Sequence, residues 1–478
     1  MAERVERLAW GCLLASFPGP EPPPSLEGWI ERGLGGVVLF AGNVRDPEQL
    51  RGLTNGLRAR RPGLLVAVDE EGGDVTRLEA AAGSSYPGAL ALGSVDDPAL
   101  TEAVAGSIAA ELAAAGVNLN LAPVADVNTN PENPVIGVRS FGSDPELVAR
   151  HVRAFVTGTQ ACGVAACAKH FPGHGDTTVD SHLALARVER SREELAGVEL
   201  LPFAAAVGAG VAAVMTGHLV VPAIDAEPAT LSAPLVSGLL RQELGFRGLV
   251  ITDALDMRAI ADTVGVAEGA VRALAVGVDA ICLGPSVGRE DVEAAQRTLV
   301  DAVAGGRLQE ERLGEAAARV EATARAANMA GGVPDRALGA GAARRAIRVR
   351  GDADVGESPV VVELRPEPLV AAGETGASLG RALRARLPRT RVVVVRDEHD
   401  LPRLDGSGLV VVVRDAGRHR WQQRAAERLL ALHRGAVVVE TGVPGWTPPA
   451  AAALVETHGA GRASLEAAAD VLAAAAVR

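Results

Sequence analysis

A chain of 478 residues exceeds what one hydrophobic core usually serves, since cores stop growing at roughly 250 residues, so two domains are expected. With 48% apolar and 22% charged residues, and apolar runs well short of the ~20 residues that cross a bilayer, it reads as a globular protein without a membrane span. A formal charge of −12 argues against nucleic-acid and anionic-membrane partners, whose recognition rests on Lys and Arg, and leaves a neutral or small ligand.

The opening stretch MAERVERLAWGCLLASFPG carries two glutamates where a signal peptide would carry positive charge. It reads as a helix running into a strand, and the expected location is cytoplasmic. From there short apolar or β-branched runs recur: CLLASF (12–17), GGVVLF (35–40), LLVAVD (64–69), VNLNLA (117–122), VAACAK (164–169), VAAVMT (211–216), GLVITD (248–253) and DAICLG (279–284). Helix-like stretches separate them, among them PEQLRGLTNGLRAR, PELVARHVRAFVTGTQ and SREELAGVELLPFAAAV, several opening on Asp-Pro, Ser or Thr start signals. Eight such units predict an α/β fold, a (β/α)8 TIM-type barrel over residues 1–335, with catalytic groups at the C-terminal ends of its strands. The four cysteines, Cys12, Cys162, Cys167 and Cys282, lie in apolar stretches without a Cys-x-x-Cys pair and read as buried reduced thiols.

A Gly/Pro-rich linker, GGVPDRALGAG, follows, and residues 336–478 form the second domain. The near-continuous valine runs PVVVEL, RVVVV, LVVVVR and AVVVE, separated by helical segments, predict a smaller α/β sandwich with a mostly parallel buried sheet. No Gly-rich phosphate loop occurs in it. A structural, capping or dimer-forming role is expected, the last making the protein a homo-oligomer.

Polar residues close several barrel strands. Asp69 ends the third, Lys169 and His170 the fifth, His218 follows the sixth, and Asp253 ends the seventh, which favours an active site over isolated caps. The fifth strand runs into KHFPGHGDTTVDSH (169–182), three histidines, two aspartates and a lysine in fourteen positions. Lys169 is the only lysine among 47 basic residues, either by chance or because a planar guanidinium would not fit there. His170 and His174 are spaced i, i+4, but Pro172 and Gly173 between them exclude a helix presenting both to one ion. No metal or cofactor is expected. The proton-transfer reading fares better. In an extended loop Asp180 and His182 point the same way, so the carboxylate can fix the imidazole's tautomer and favour its protonated form. Asp253, in LVITDALDM, is either a buried helix cap or a nucleophile.

KHFPGHGDT followed by DSH closely resembles the signature of bacterial β-N-acetylhexosaminidases of glycoside hydrolase family 3, and the likeness covers the whole barrel. DEEGGDVTR (69–77), LAPVADVNTNPENPVIGVRSFGSDP (121–145), MTGHLVVPAID (215–225) and PATLSAPLVSGLLRQELGFRGLVITDALDM (228–257) agree with it. The resemblance implies a retaining glycosidase that removes terminal N-acetylglucosamine from peptidoglycan fragments through a glycosyl-aspartate. It assigns the nucleophile to Asp253, the acid/base to His182 with Asp180 as its partner, and sugar binding to Asp69, Arg77, Arg139, Lys169 and His170. The substrate would be a small amino-sugar compound. Two departures stand out: Ala186 occupies a position where relatives usually carry proline, and the second domain is short, which places the acid/base in the barrel. The rival readings are a β-N-acetylglucosaminide phosphorylase and an inert sugar-binding protein on the same barrel.

Overall fold

The computed structural model describes residues 2–180, 184–367, 373, 376–404, 408–433 and 435–476. The chain forms two compact units, one of residues 1–70, 101–134 and 143–334, the other of residues 71–100, 135–142 and 335–478.

In the first unit helix Ala2–Gly11 runs into the first of eight strands: β1 Leu13–Ala15, β2 Gly36–Leu39, β3 Leu65–Val68, β4 Leu119–Asn120, β5 Ala165–Phe171, β6 Ala213–Thr216, β7 Leu249–Thr252 and β8 Ile281–Cys282. Seven lie inside the runs read from the sequence, and β5 starts in its run, 164–169, and continues two residues beyond it to Phe171. Every strand pairs in parallel with its chain neighbour from β1 to β7, β8 pairs with β1, and the bridge Ile251↔Ala280 joins β7 to the start of β8, closing the barrel. Because successive strand residues face opposite sides, alternate positions fill the interior: Leu65 and Ala67 on β3, Ala165 and Cys167 on β5, Leu249 and Ile251 on β7. The next residues in this alternation, Asp69, Lys169 and Asp253, are where the apolar filling gives way to polar groups.

The Asp-Pro starts act as read. Asp46 caps helix Pro47–Arg60 by accepting from the N–H groups of Glu48 and Gln49, and Asp144 does the same for Pro145–Ala161. Ser191 and Glu194 form a capping box on Arg192–Gly197. The stretch expected as one helix is in fact two, Arg192–Gly197 and Leu200–Gly208. Glu199, at the break, is fully buried and its carboxylate lies 2.6 Å from Arg190, an arrangement that a continuous amphipathic helix would not offer a glutamate.

The second unit holds a six-stranded sheet of β9 Arg348–Gly351, β10 Val360–Leu364, β11 Arg391–Val395, β12 Leu409–Val413, β13 Val437–Glu440 and β14 Ala453–Glu456. Its order is β9-β14-β13-β12-β10-β11, parallel throughout except for β9. Val361, Val410 and Val439 enter the core on one face and Val360, Val411 and Val438 that on the other, which explains the unbroken valine runs. Two strands were not anticipated. β9, RVRG, is solvent-exposed along its length and carries no apolar signal, and β14 lies in an alanine-rich stretch whose propensity is helical.

Candidate active site

Three charged residues mark the C-terminal end of the barrel strands. The Nζ of Lys169 lies 2.6 Å from Oδ1 of Asp69, and the lysine is almost wholly buried, at 2% exposure. Asp253 is partly exposed, and its Oδ1 accepts from the N–H of Ala254 at 2.8 Å. The charges of Asp69, Lys169 and Asp253 all act on the buried Cys167 thiol, so the three groups share one end of the barrel. Burial pushes the thiols of Cys167 and Cys282 well up and leaves them inert. Cys12 is buried as well, whereas Cys162 is only half-buried, and all four are free.

The loop after β5 is built on a residue to which the sequence reading gave no role. Asp126, fully buried, accepts from His170 Nδ1 at 2.7 Å, from the His170 backbone N–H at 3.2 Å and from the His174 N–H at 2.7 Å. With Nδ1–H committed to the carboxylate, a neutral His170 ring presents its Nε2 lone pair. His174 points elsewhere: Nδ1 meets the Thr177 hydroxyl at 2.6 Å, and Asn133 donates to its carbonyl at 2.8 Å. Asp176 accepts from Thr129 at 3.1 Å and faces Arg190 at 3.3 Å. Gly175 runs so close to Val127 that an added Cβ would lie 1.8 Å from its carbonyl oxygen, so no side chain fits there. Asp180 is half-buried, while His182 lies outside the described residues.

His218, read from sequence as one of the strand-end polar groups, is fully buried. Its Nδ1 meets Thr230 Oγ1 at 2.8 Å and its Nε2 the Ala254 carbonyl at 2.9 Å, so it braces the residue after Asp253. Arg77 and Arg139 belong to the second unit. Arg139 donates from Nε and Nη2 to Glu71 at 3.0 and 2.8 Å and from Nη1 to the Val135 carbonyl at 3.2 Å, a bidentate buried pair. Among the described residues no group of three or more His, Cys, Asp or Glu is arranged to hold a metal ion, and no helix is long and apolar enough to cross a membrane.

Residues 27–323 match the family model for the glycosyl hydrolase family 3 N terminal domain. The chain belongs to glycosyl hydrolase family 3. It is 37% identical over 326 residues to "Beta-hexosaminidase A" of Pseudoalteromonas piscicida, a match spanning 62% of this chain and 54%, about half, of that relative. It is 43% identical over 256 residues to a "Beta-hexosaminidase" of Alkalilimnicola ehrlichii, covering 52% of this chain and 73% of the other. A glycoside hydrolase family 3 beta-N-acetylglucosaminidase from a Paenibacillus species has the same architecture, with a TM-score of 0.89 at 33% identity over 98% of this chain and 96% of that one.

Within this family 3 chain, the buried Lys169–Asp69 pair gives a direct test of the lone lysine. Lys169→Arg keeps the charge but puts a larger, planar guanidinium where a compact ammonium now lies almost wholly buried against Asp69. Lys169→Arg is expected to lose both substrate affinity and turnover, roughly tenfold or more in kcat/KM. Steady-state kinetics matching the parent would make the lysine an accident of composition.

His174 makes a pH prediction. Burial pushes its imidazole down from 6.5 to about 4, against the opposing pull of Asp126. Between those values the unfolded chain takes up a proton that the folded chain refuses, so stability falls as pH drops through that window; above it this group has no effect. A gap of that size corresponds to about 3 kcal/mol. Thermal melts from pH 7 down to pH 4 should show a shallower decline for His174→Gln than for the parent. Parallel curves would contradict the prediction.

Proposed function

We propose that this family 3 chain is a retaining β-N-acetylglucosaminidase that removes terminal N-acetylglucosamine from peptidoglycan-derived fragments in the cytoplasm. The reading draws support from the relatives named as hexosaminidases and from the residue that the chemistry needs most. The observation that carries it is Asp253, a partly exposed carboxylate on the same end of the barrel as the Asp69–Lys169 pair, its position set by β7 and by the Ala254 N–H.

In the first step a carboxylate oxygen of Asp253 attacks the anomeric carbon, the glycosidic C–O bond breaks, and His182 gives its proton to the departing oxygen. Asp180 favours the protonated imidazole beforehand. In the second step His182 takes a proton from water as the water oxygen attacks the anomeric carbon and the bond to Asp253 breaks, so the β configuration is retained. Asp69, Lys169 and His170 bind sugar hydroxyls, with Arg77 and Arg139 assigned to the same task. A histidine acid/base, unlike a carboxylate in the same role, does not itself repel incoming phosphate, which is the ground for the second reading, a β-N-acetylglucosaminide phosphorylase.

Incubation with an aryl N-acetyl-β-glucosaminide tests the proposal, with steady release of the phenol expected. No turnover would leave an inert sugar-binding protein. Inorganic phosphate in the same assay separates hydrolysis from phosphorolysis, since a phosphorylase would form the sugar 1-phosphate.

A further inference from the structure

Arg77, assigned to sugar binding, lies three residues after Asp74 and two before Glu79 in the sequence. Both acidic residues are held by arginines from the C-terminal part of the second unit. Arg414 Nη2 lies 2.6 Å from Asp74 Oδ2, in a pair where the aspartate side chain is 4% exposed. The other oxygen of Asp74 accepts from the Ala460 N–H at 2.7 Å. On the far side of Arg77, Arg462 Nη2 lies 2.6 Å from Glu79 Oε1, and Arg462 Nε donates to the Gly83 carbonyl at 3.0 Å. Glu79 also accepts from the backbone and hydroxyl of Ser85, at 2.6 and 2.9 Å, and its own N–H donates to Thr76 Oγ1 at 3.1 Å, closing the turn that contains Arg77.

The arginine anchors are themselves built in. Gln422 brackets the Arg414 backbone, accepting from its N–H at 2.9 Å and donating to its carbonyl at 2.8 Å. The buried Glu440 carboxylate accepts from the N–H groups of Asp415, Ala416 and Gly442, at 2.8, 3.1 and 2.7 Å, which fixes the turn after β12. Next to Arg462, the Ala463 N–H donates to the Ser84 carbonyl at 3.1 Å. Gly461 packs on Gly73 so closely that a Cβ would lie 2.7 Å from the Gly73 carbonyl oxygen. Helix Arg462–Ala476, packed into the core of this unit, and the turn after β12 thus hold the loop by backbone as well as side-chain contacts, which favours a single conformation for it.

We propose that Arg414 and Arg462 are positioning residues for the glycosidase, clamping the turn Asp74–Glu79 at both ends so that Arg77 is presented to the sugar in one fixed conformation. This rests on the assignment of Arg77 to sugar binding and gives the C-terminal domain a part in catalysis without a residue that touches substrate. Both arginines lie beyond the residues 27–323 that carry the family match. An ordered guanidinium loses little rotamer freedom on binding, whereas a loosened loop must be ordered by the substrate at the expense of affinity.

The test is a double-mutant cycle on the full chain, run with Arg414→Met, Arg462→Met and Arg77→Ala and read by aryl N-acetylglucosaminide kinetics, melting temperature and hydrogen exchange over residues 71–100. Each anchor variant should raise KM roughly tenfold with a smaller change in kcat, and should speed exchange in that segment. In the Arg77→Ala background the same substitutions should cost less than about twofold, because the group they position is gone. Equal losses in both backgrounds, whatever the melting temperature does, would overturn the proposal, as would unchanged exchange. An Arg77→Ala enzyme with parental kinetics would instead overturn the assignment of Arg77 and with it the proposal. If the parent has no turnover the glycosidase reading fails, and the exchange measurement alone then decides whether Arg414 and Arg462 clamp the loop. Arg462→Met, at the more exposed anchor, keeps the test open if Arg414→Met does not fold.

Discussion

Asp253→Ala is expected to abolish turnover of an aryl N-acetylglucosaminide, by roughly 10⁴-fold or more in kcat, while the protein stays folded. The size follows from the role: without a nucleophilic carboxylate no glycosyl-enzyme can form, and what remains is the acceleration from sugar binding and acid assistance. The structural cost should be small by comparison. Asp253 is partly exposed at the end of β7, and losing its bond to the Ala254 N–H is worth about 1 kcal/mol. The backbone there is held independently, since the Asp253 N–H donates to the Thr216 carbonyl at 3.0 Å and His218 braces Ala254 from the other side. A melting temperature near the parent's and an unchanged affinity for N-acetylglucosamine would accompany the loss. Activity within about tenfold of the parent would leave Asp253 only its bond to the Ala254 N–H, because the helix that follows, Arg258–Ala261, is capped at Met257 and not at Asp253 as its sequence context also allowed.

His182→Ala should produce a loss that depends on the leaving group. A general acid contributes roughly 10²–10⁴-fold where the departing oxygen is basic. On a natural disaccharide the variant should lose a factor of that order. On an aryl glycoside with an acidic phenol the first step needs no proton, so breakdown of the glycosyl-enzyme becomes limiting. Azide, which needs no base, should then accelerate turnover and appear in a β-azide product formed with retention. Asp180→Asn should give a milder form of the same behaviour, because the imidazole remains but loses the charge that favours its protonated state. Equal losses on both substrates, with no azide effect, would send the search for the acid/base to His174 and Asp176. The structure argues against those two, because His174 is buried with its ring engaged by Thr177, and Asp176 is occupied by Thr129 and Arg190.

How much of this was legible in the sequence depends on the range over which each feature is decided. The eight barrel strands, the Asp-Pro helix starts and the valine-rich second sheet were legible because burial imposes a local period and caps act within one turn. The same period gives Asp69, Lys169 and Asp253 their places, one step beyond the last apolar residues of β3, β5 and β7, and so the polar end of the barrel could be read before any fold was known. What the tertiary structure alone decided are pairings between residues far apart in the chain. Asp126 orients His170 and His174 from 44 and 48 positions away, Glu71 engages Arg139 across 68, and Arg414 reaches back 340 residues to Asp74. In a sequence such carboxylates and guanidiniums are indistinguishable from the charges of any solvated surface. Glu199 looked like one more glutamate on a helix until the chain broke there and buried it against Arg190. Likewise nothing in its local pattern shows that the segment 71–100 groups with the C-terminal residues in one compact unit. Periodicity records which face of an element is buried. It carries no record of which distant element supplies the partner, because that is set only when the whole chain packs and each buried charge must find a counter-charge or hydrogen-bond partner.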